Sequence, residues 1–155
     1  MTKPDPSPRA CEPNAGRLDG VTYVFPLRVY YEDTDFSGVV YHASYLRFLE
    51  RGRSEFLRSI GLGHDGMLKA AEPLAWAVRR IAVDFDKPAR IEEALIVRTR
   101  VAELSGARMQ LRQEIVRGAD LLVKADVEVC MITLDGRARR MPEAVRAKMQ
   151  AFLQE

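Results

Sequence analysis

One long apolar helix followed by four strands of alternating polarity is the feature that most constrains the fold of this chain. In residues 44–60, aromatic and aliphatic side chains recur at helical spacing. Apolar and polar residues then alternate with a period of two in four segments, near 75–87, 92–104, 108–115 and 120–134. This alternation is typical of antiparallel strands that cover a core on one side only. The sequence therefore predicts an α+β fold, with a long antiparallel sheet packed on one helix.

A glycine on the apolar face of the predicted helix indicates how tightly the sheet packs. Gly52 costs up to ~1 kcal/mol of helix propensity at this position. We therefore expect another backbone to approach it closely, as in a sheet wrapped around the helix. Gly61 and Gly63 supply the signal that ends the helix.

The two ends of the chain differ in their capacity to fold. Residues 1–20 contain four prolines among small and polar residues, which predicts a flexible tail. Residues 21–155 form one predicted domain. Its first strand is expected at residues 21–31, where Pro26 indicates an edge or a kink. Pro142 suits the first turn of a short C-terminal helix.

Composition excludes several classes of protein. The chain has 155 residues, 47% of them hydrophobic and 30% charged, as in an ordinary globular protein. A net charge of +2 without a basic stripe argues against a nucleic-acid-binding protein. No apolar run approaches the ~20 residues of a membrane span, and the N-terminus lacks the apolar core of a signal peptide. A cytoplasmic location is therefore expected. Cys11 and Cys130 are too few for a disulfide framework or a zinc site.

A short acidic stretch before the helix carries the candidate chemistry. Asp33-Thr-Asp35-Phe-Ser37-Gly38 resembles the start of a calcium loop, but Ser44 stands where that loop needs a bidentate glutamate. A phosphatase with an Asp-x-Asp motif would need a parallel sheet, which the alternating strands do not support. A transition-metal site would need more nitrogen or sulfur ligands than the scattered histidines and cysteines provide.

Two interpretations of the stretch remain on local pattern alone. In the first, Asp35 is a working carboxylate in a turn, and Gly38 permits a close approach of substrate. Free N–H groups at the start of the following helix could then stabilise an oxyanion, with His42 nearby. Such a set suffices to hydrolyse an activated acyl group. In the second, Asp33 and Asp35 only form an Asx-turn and a helix cap.

Longer segments resemble one family of enzymes. Arg28-Val-Tyr-Tyr-Glu-Asp-Thr-Asp35, Gly38-Val-Val-Tyr-His42-Ala-Ser-Tyr45 and Phe48-Leu-Glu-Arg-Gly-Arg53 resemble the signature of 4-hydroxybenzoyl-CoA thioesterases, in particular their Tol-Pal-associated (YbgC-like) branch. The resemblance continues through residues 83–90. It implies the hot-dog fold: one long central helix wrapped by an antiparallel sheet of about five strands, with a short C-terminal helix.

The resemblance also implies roles for particular residues. The catalytic residues fall on Asp35, as general base or nucleophile, and on His42. The backbone N–H that polarises the thioester carbonyl lies on or near His42, and the histidine side chain is itself part of the site. Asp33 becomes a support residue, and Glu50 is expected to make a structural pair with a nearby arginine. Phe36 is expected to reshape the acyl pocket. The substrate-binding residues predicted on this basis are Tyr31, Gly38, Val40, Tyr41, Lys87 and Arg90, and further candidates for the CoA phosphates are Arg79, Arg80 and Arg108.

The expected activity is hydrolysis of an acyl-CoA to the free acid and CoA, without a cofactor or a metal. Acyl carrier protein is a second expected carrier of the acyl group. Relatives of this kind form dimers or tetramers with the active site at a subunit interface, so a homo-oligomer is expected. Two rivals are a hot-dog protein that binds acyl-CoA or acyl carrier protein with little turnover, linked to envelope or phospholipid metabolism, and a hot-dog dehydratase. The dehydratase requires a different loop from the Asp-Thr-Asp stretch.

Overall fold

The computed structural model describes residue 13 and residues 16–153, which form one antiparallel sheet and three α-helices. The neighbours in the sheet follow the order β1-β2-β4-β5-β6-β3, and every pair is antiparallel. The elements in chain order are β1 (Arg17–Asp19), β2 (Thr22–Arg28), a 3-10 turn (Tyr31–Asp33), α1 (His42–Ser59), α2 (His64–Leu68), β3 (Leu74–Phe85), β4 (Ala94–Leu104), β5 (Arg108–Arg117), β6 (Asp120–Thr133) and α3 (Glu143–Gln150).

Helix α1 lies against the concave face of the sheet and supplies much of the core. Phe48, Leu49 and Phe56 project from its apolar face and are fully buried. A Cβ atom placed on Gly52 would lie 2.6 Å from Cγ1 of Val97 on β4, which is closer than a real contact allows. The predicted close approach is therefore confirmed, although side-chain atoms of the strand make it rather than its backbone.

The end of α1 follows from the backbone freedom of one glycine. Gly61 has a φ of +78°, a region that favours residues without a Cβ. Its N–H donates to the Arg58 carbonyl at 3.1 Å, and the Leu62 N–H donates to the Leu57 carbonyl at 2.8 Å. These two bonds form a Schellman motif, which satisfies carbonyl groups that the helix end would leave unpaired. The predicted stop is confirmed.

The four predicted strands after α1 are present, and they alternate between buried and exposed residues. On β4, for example, Leu95, Val97 and Val101 are buried. Gly118 and Ala119 join β5 to β6 as a two-residue hairpin, and Gly118 has a φ of +58°. The sheet curves around α1, as expected for the hot-dog fold.

The N-terminal region departs from the expectation in two ways. Residues 17–19 form β1 against β2, so the sheet has six strands and the end of the predicted tail is part of it. Residues 1–12, 14 and 15 of that segment lie outside the described residues. Strand β2 ends at Arg28, before the predicted residue 31, because the chain enters a 3-10 turn at Tyr31. Strand β1 pairs only with residues 22–24 of β2, so Pro26 has a neighbouring strand on one side, β4, and none on the other among the described strands. This is the edge position that the proline predicts.

The C-terminal helix closes one end of the core. Pro142 stands immediately before α3, and Met149 on this helix is fully buried. In the described part of the chain, no helix combines the length and the apolar character needed to cross a membrane.

Candidate active site

Asp33 holds the start of the loop in place. Its side chain is 4% exposed, and Oδ2 accepts a hydrogen bond from the Tyr30 N–H at 2.8 Å. Its carbonyl accepts a hydrogen bond from the Tyr41 N–H at 2.9 Å, just before α1 begins. Asp33 therefore connects both ends of the loop and is a support residue, as predicted.

Asp35 stands at the first position of a tight turn. Its carbonyl accepts from the Gly38 N–H at 3.1 Å, and its own N–H donates to the Val39 carbonyl at 2.9 Å. Gly38 has a φ of +82°, which the closure of this turn requires and which a side chain would strain. The turn exposes the Asp35 side chain beside an open groove.

The carboxylate of Asp35 is bound on one oxygen only. Oδ1 accepts hydrogen bonds from the Ser37 hydroxyl at 2.5 Å and from the Ser37 N–H at 2.8 Å. These bonds, the hydroxyl first, lower the pKa of Asp35 below its ordinary value. Among the described residues Oδ2 has no hydrogen-bond partner. The Asx-turn of the second interpretation is thus present, and it leaves one oxygen of an ionised carboxylate available.

The N-terminus of α1 is also available. The helix begins at His42, without a side-chain cap and without an acid in its first turn. Within the described part of the chain, the N–H groups of His42 and Ala43 have no acceptor. Such unpaired N–H groups carry the positive end of the helix dipole and suit a developing oxyanion.

Tyr45 fixes this helix start relative to the sheet. Its hydroxyl accepts a hydrogen bond from the Ala89 N–H at 2.9 Å, and burial raises its pKa. The Ala89 carbonyl in turn accepts from the Val40 N–H at 2.8 Å. The residue before Tyr41 is therefore held to the segment between β3 and β4.

The predicted site residues fall into two grooves. Asp35, Tyr31 and Gly38 line the first, together with Thr34, Phe36 and Ile91. His42, Val40 and Lys87 line the second, together with Tyr45, Phe85, Asp86 and Pro88. Neither groove contains both Asp35 and His42, so the prediction that the loop gathers both around one carbonyl carbon is not met within either groove.

The remaining predicted binding residues lie around these grooves. The Tyr41 ring stacks on the exposed His42 ring, with centroids 4.5 Å apart. Arg90 lies on the segment that pairs with Val39, and its N–H donates to Glu93 Oε2 at 2.9 Å.

Some predicted basic residues already have acidic partners. Lys87 Nζ lies 3.2 Å from Asp120 Oδ1, and both side chains are about half exposed. Arg79 and Arg108 lie on the outer face with Glu128 between them, at 2.6 Å and 3.7 Å. Arg79 and Arg108 are therefore already paired with an acid on the sheet, whereas Lys87 lies beside the groove of His42.

Glu50 is predicted to pair with a nearby arginine, and its charge does act on Arg53: burial lowers the pKa of Arg53, and the Glu50 carboxylate opposes this change. Oε1 of Glu50 accepts a hydrogen bond from the Ser54 hydroxyl at 2.7 Å, one helical turn later. Within the described part of the chain, no arginine lies within 4.0 Å of the Glu50 carboxylate. The guanidinium of Arg53, three residues after Glu50, is instead engaged with Gln113, to whose Oε1 it donates at 3.0 Å.

Sequence reasoning missed three residues of this region. Ser37 binds the Asp35 carboxylate, and a serine two residues after an aspartate is a signal for this turn. Phe85 contacts both His42 and Tyr45, with ring centroids 6.4 Å and 5.7 Å away. Ile91 lines the groove of Asp35. Phe85 and Ile91 are far from the Asp35 loop in sequence, and only the folding of the chain brings them close to it. The described residues contain no cluster of three His, Cys, Asp or Glu side chains that could hold a metal ion.

A long helix wrapped by an antiparallel sheet, with a carboxylate turn before the helix, defines a thioesterase of the hot-dog fold. The sequence profile of the thioesterase-like superfamily matches residues 29–149, more than half of the chain, and the chain belongs to this family.

Curated relatives and solved structures agree with this assignment. The chain is 42% identical to "Acyl-CoA thioesterase YbgC" of Haemophilus influenzae over 112 residues, which are 72% of this chain and 82% of that protein. It is 38% identical to "Acyl-CoA thioester hydrolase YbgC" of Escherichia coli O157:H7 over 135 residues, which are 86% of this chain and 99% of that protein. The crystal structure of a probable thioesterase from Bartonella henselae is similar, with a TM-score of 0.76 and 46% identity, over 78% of this chain and 99% of that one.

Proposed function

We propose that the protein hydrolyses acyl-CoA thioesters to the free acid and CoA, with Asp35 as the catalytic carboxylate. Relatives at 38% and 42% identity carry the name of this activity. Two observations carry the proposal: one oxygen of Asp35 has no partner among the described residues, and the N–H groups at the start of α1, on the same loop, are unpaired. No covalent serine or cysteine is required for such a reaction.

In the proposed reaction, the thioester carbonyl oxygen accepts hydrogen bonds from the N–H groups near His42. The negative charge that develops on this oxygen is stabilised by these donors and by the helix dipole. Asp35 either removes a proton from the attacking water or attacks the carbonyl carbon itself to give an anhydride that water then opens. In both routes the C–S bond breaks and the CoA thiolate takes up a proton. Asp35 is ionised at neutral pH, as both routes require, and its lowered pKa extends this charged state to more acidic pH.

The groove beside His42 is the proposed entrance for the CoA arm. It is open, and Phe85 and Pro88 give it apolar walls for the pantetheine chain. Lys87 at its edge, with Arg90 further along the same segment, would meet the phosphates. His42 would orient the substrate or the water. An acyl carrier protein would present the same pantetheine arm to this groove.

A second copy of the chain is part of the proposal. Strand β3 is 12 residues long, lies at one end of the sheet and pairs only with β6 among the described strands. An exposed strand of this length is a site for pairing with another chain. Val78 and Phe85 on β3 are each 50% exposed, and a second copy would cover them. We therefore propose a homodimer, or a tetramer built from it, formed through β3.

The test is release of free thiol from a panel of acyl-CoA esters, from acetyl to palmitoyl and including aroyl esters. The protein is expected to turn over at least one ester, and Asp35→Asn should lower kcat by ~10²-fold or more. Asp126→Asn is the matched control, since Asp126 lies on the exposed face of β6 in an open ion pair with Arg112. Unchanged turnover in Asp35→Asn would refute the mechanism. No turnover on any ester would favour a protein that only binds acyl-CoA or acyl carrier protein.

A further inference from the structure

The outer face of the sheet, which points away from α1, carries charged side chains in rows that cross the strands. One row contains, in order from the β3 edge of the sheet, Asp84, Lys124, Glu114 and Arg98, each opposite the next in the strand register. The sign of the charge alternates at every step of this row. Opposite charges that face each other on neighbouring strands stabilise a sheet, so the row suits the order of the four strands.

A second row ends on the same strand with a charge of the other sign. Arg80 on β3 stands opposite Glu128 on β6. Glu128 is 8% exposed and is already bound, by Arg79 at 2.6 Å and by Gln110 at 2.8 Å. The two rows therefore reach the open edge of β3 as a base and an acid, four residues apart, with the exposed Ala82 between them.

The charges that end the two rows have no ion pair of their own. Within the described part of the chain, neither Arg80 nor Asp84 has an oppositely charged group within 4.0 Å, although both side chains are exposed. In chain order the edge presents a base and then an acid. In the reverse direction it presents an acid and then a base. The edge is therefore complementary to a second copy of itself in the antiparallel orientation.

The spacing of the two charges decides which antiparallel register suits two copies of β3. Residues that face each other across two strands point to the same side of the sheet, so a two-fold axis makes one residue of β3 face its own copy. With Ala82 on the axis, Arg80 of each copy faces Asp84 of the other, and two ion pairs form. With Arg80 or Asp84 on the axis, two like charges face each other, which is unfavourable.

The two remaining registers near the middle of the strand match the charges less well. With Ile81 on the axis, neither Arg80 nor Asp84 faces an opposite charge. With Val83 on the axis, Arg80 faces Asp86, which lies beyond the end of β3, and Asp84 is left without a partner. Only a central alanine gives both unpaired side chains of β3 an opposite charge.

We propose that the chain recognises its own copy through this charge pattern, with Arg80 of each protomer paired to Asp84 of the other on the two sides of an axis at Ala82. The inference rests on the dimer of the proposed function, and it adds what selects the partner and fixes its register. The row that ends in Asp84 of one copy then continues into the row that begins with Arg80 of the other. A strand with a different order of charges is a poorer match for this edge, so the pattern also excludes wrong partners.

The first test exchanges the two charges. Arg80→Asp and Asp84→Arg each bring two pairs of like charges together in the homodimer, and each should raise its dissociation constant by ~10-fold or more. A dimer of one Arg80→Asp chain and one Asp84→Arg chain contains two opposite pairs again. Co-expression of the two variants with different affinity tags should therefore give a one-to-one heterodimer, and the double variant should form a homodimer like the wild type. Sedimentation equilibrium measures the dissociation constants.

Matched controls separate the pairing from a change in net charge or a loss of folding. Arg51→Asp and Glu103→Arg make the same changes in net charge at exposed positions away from β3, and both should leave the dissociation constant unchanged. If a single variant does not fold alone, the co-expressed pair still decides, because the heterodimer restores both ion pairs.

Each outcome bears on the pairing or on the reaction separately. Single variants that dimerise like the wild type, or a mixture without heterodimers, would show that the charges do not select the partner. A loss in Arg80→Asp with none in Asp84→Arg would place the axis at Val83 and would overturn the inference as well. A monomeric wild type that hydrolyses acyl-CoA would remove the pairing and leave the proposed reaction standing. The expected charge effects in a protein that hydrolyses no ester would refute the reaction alone.

The second test measures the register by crosslinking. In a chain with Cys11 and Cys130 replaced by serine, Ala82→Cys should form a disulfide between copies under mild oxidation, because the two side chains face each other on the axis. Ile81→Cys and Val83→Cys keep both charges and are the controls. Each lies two residues from its own copy, about 7 Å along the strands, so neither should crosslink with itself. A crosslink in either control without one in Ala82→Cys would overturn the register.

Discussion

Ser37 donates two hydrogen bonds to the same oxygen of Asp35, one from its hydroxyl and one from its backbone N–H. The hydroxyl bond is the largest cause of the lowered pKa of Asp35. Because one oxygen carries both bonds, the other has no hydrogen-bond partner among the described residues. A neighbouring serine, two residues along the same turn, thus lowers the pKa of the proposed catalytic carboxylate.

Replacing this serine should change how the activity depends on pH. In Ser37→Ala the hydroxyl bond is lost while the N–H bond remains, so the pKa of Asp35 should rise toward its ordinary value. The lowered pKa keeps Asp35 ionised to lower pH, so the acidic limb of the kcat/KM profile should move to higher pH in the variant. A pH series of initial rates measures this shift, with Ser59→Ala as the control at an exposed serine. An unmoved acidic limb would show that the Asp35–Ser37 contact does not govern the reaction.

The packing of α1 on the sheet predicts an effect on stability. Gly52→Ala should lower the free energy of unfolding by about 1–3 kcal/mol, because the new Cβ would overlap Val97 at 2.6 Å. Gly66→Ala is the control, since Gly66 lies in α2 and a Cβ added there would meet no atom within 4 Å. It should be neutral or slightly stabilising. Chemical denaturation measures both, and equal stability of the two variants would contradict the close packing.

How far the sequence alone predicts the fold depends on the length of each pattern. The four long strands and α1 were predictable because each presents many apolar residues at one spacing. Strand β1 was not, because three exposed residues carry no such pattern. The start of α1 was predicted two residues late, since Tyr41 gives no side-chain cap before His42.

The candidate site was predictable only where it is local in sequence. The Asp33 support and the Asp35 turn follow from spacing within one loop, and the resemblance to a family gave their roles. The contacts of Phe85 with the helix start depend on the way the sheet curves, which periodicity does not encode. The separation of Asp35 and His42 into two grooves has the same origin.

A buried polar network beneath α1 should be important for stability. Arg53 is 9% exposed, and its Nη1 donates to Gln113 Oε1 at 3.0 Å. The amide nitrogen of Gln113 donates in turn to Thr99 Oγ1 at 2.8 Å and to the Leu49 carbonyl at 2.9 Å. Gln113→Leu leaves a buried guanidinium without this acceptor and should cost about 2–4 kcal/mol in the free energy of unfolding.

Thr99→Val is the matched comparison for this network. It removes one acceptor of Gln113, keeps the Arg53 bond and preserves the shape of the side chain, so it should cost only about 1 kcal/mol. Thermal and chemical unfolding of both variants measure the difference. A Gln113→Leu protein as stable as Thr99→Val would show that water or a rearranged partner satisfies Arg53.

The backbone of the Asp35 turn predicts a loss of activity that exceeds any loss of stability. Gly38→Ala must hold a side chain at a φ of +82°, which costs about 1–2 kcal/mol, and the turn can relieve this strain only by moving Asp35. Gly136→Ala is the control, with a φ of +89° in a distant turn and equally open surroundings. Both variants should lose similar stability, but only Gly38→Ala should lower kcat, by ~10-fold or more, because catalysis depends on the placement of the reacting group. Equal kcat in the two variants would mean that the position of the Asp35 turn is not critical to turnover.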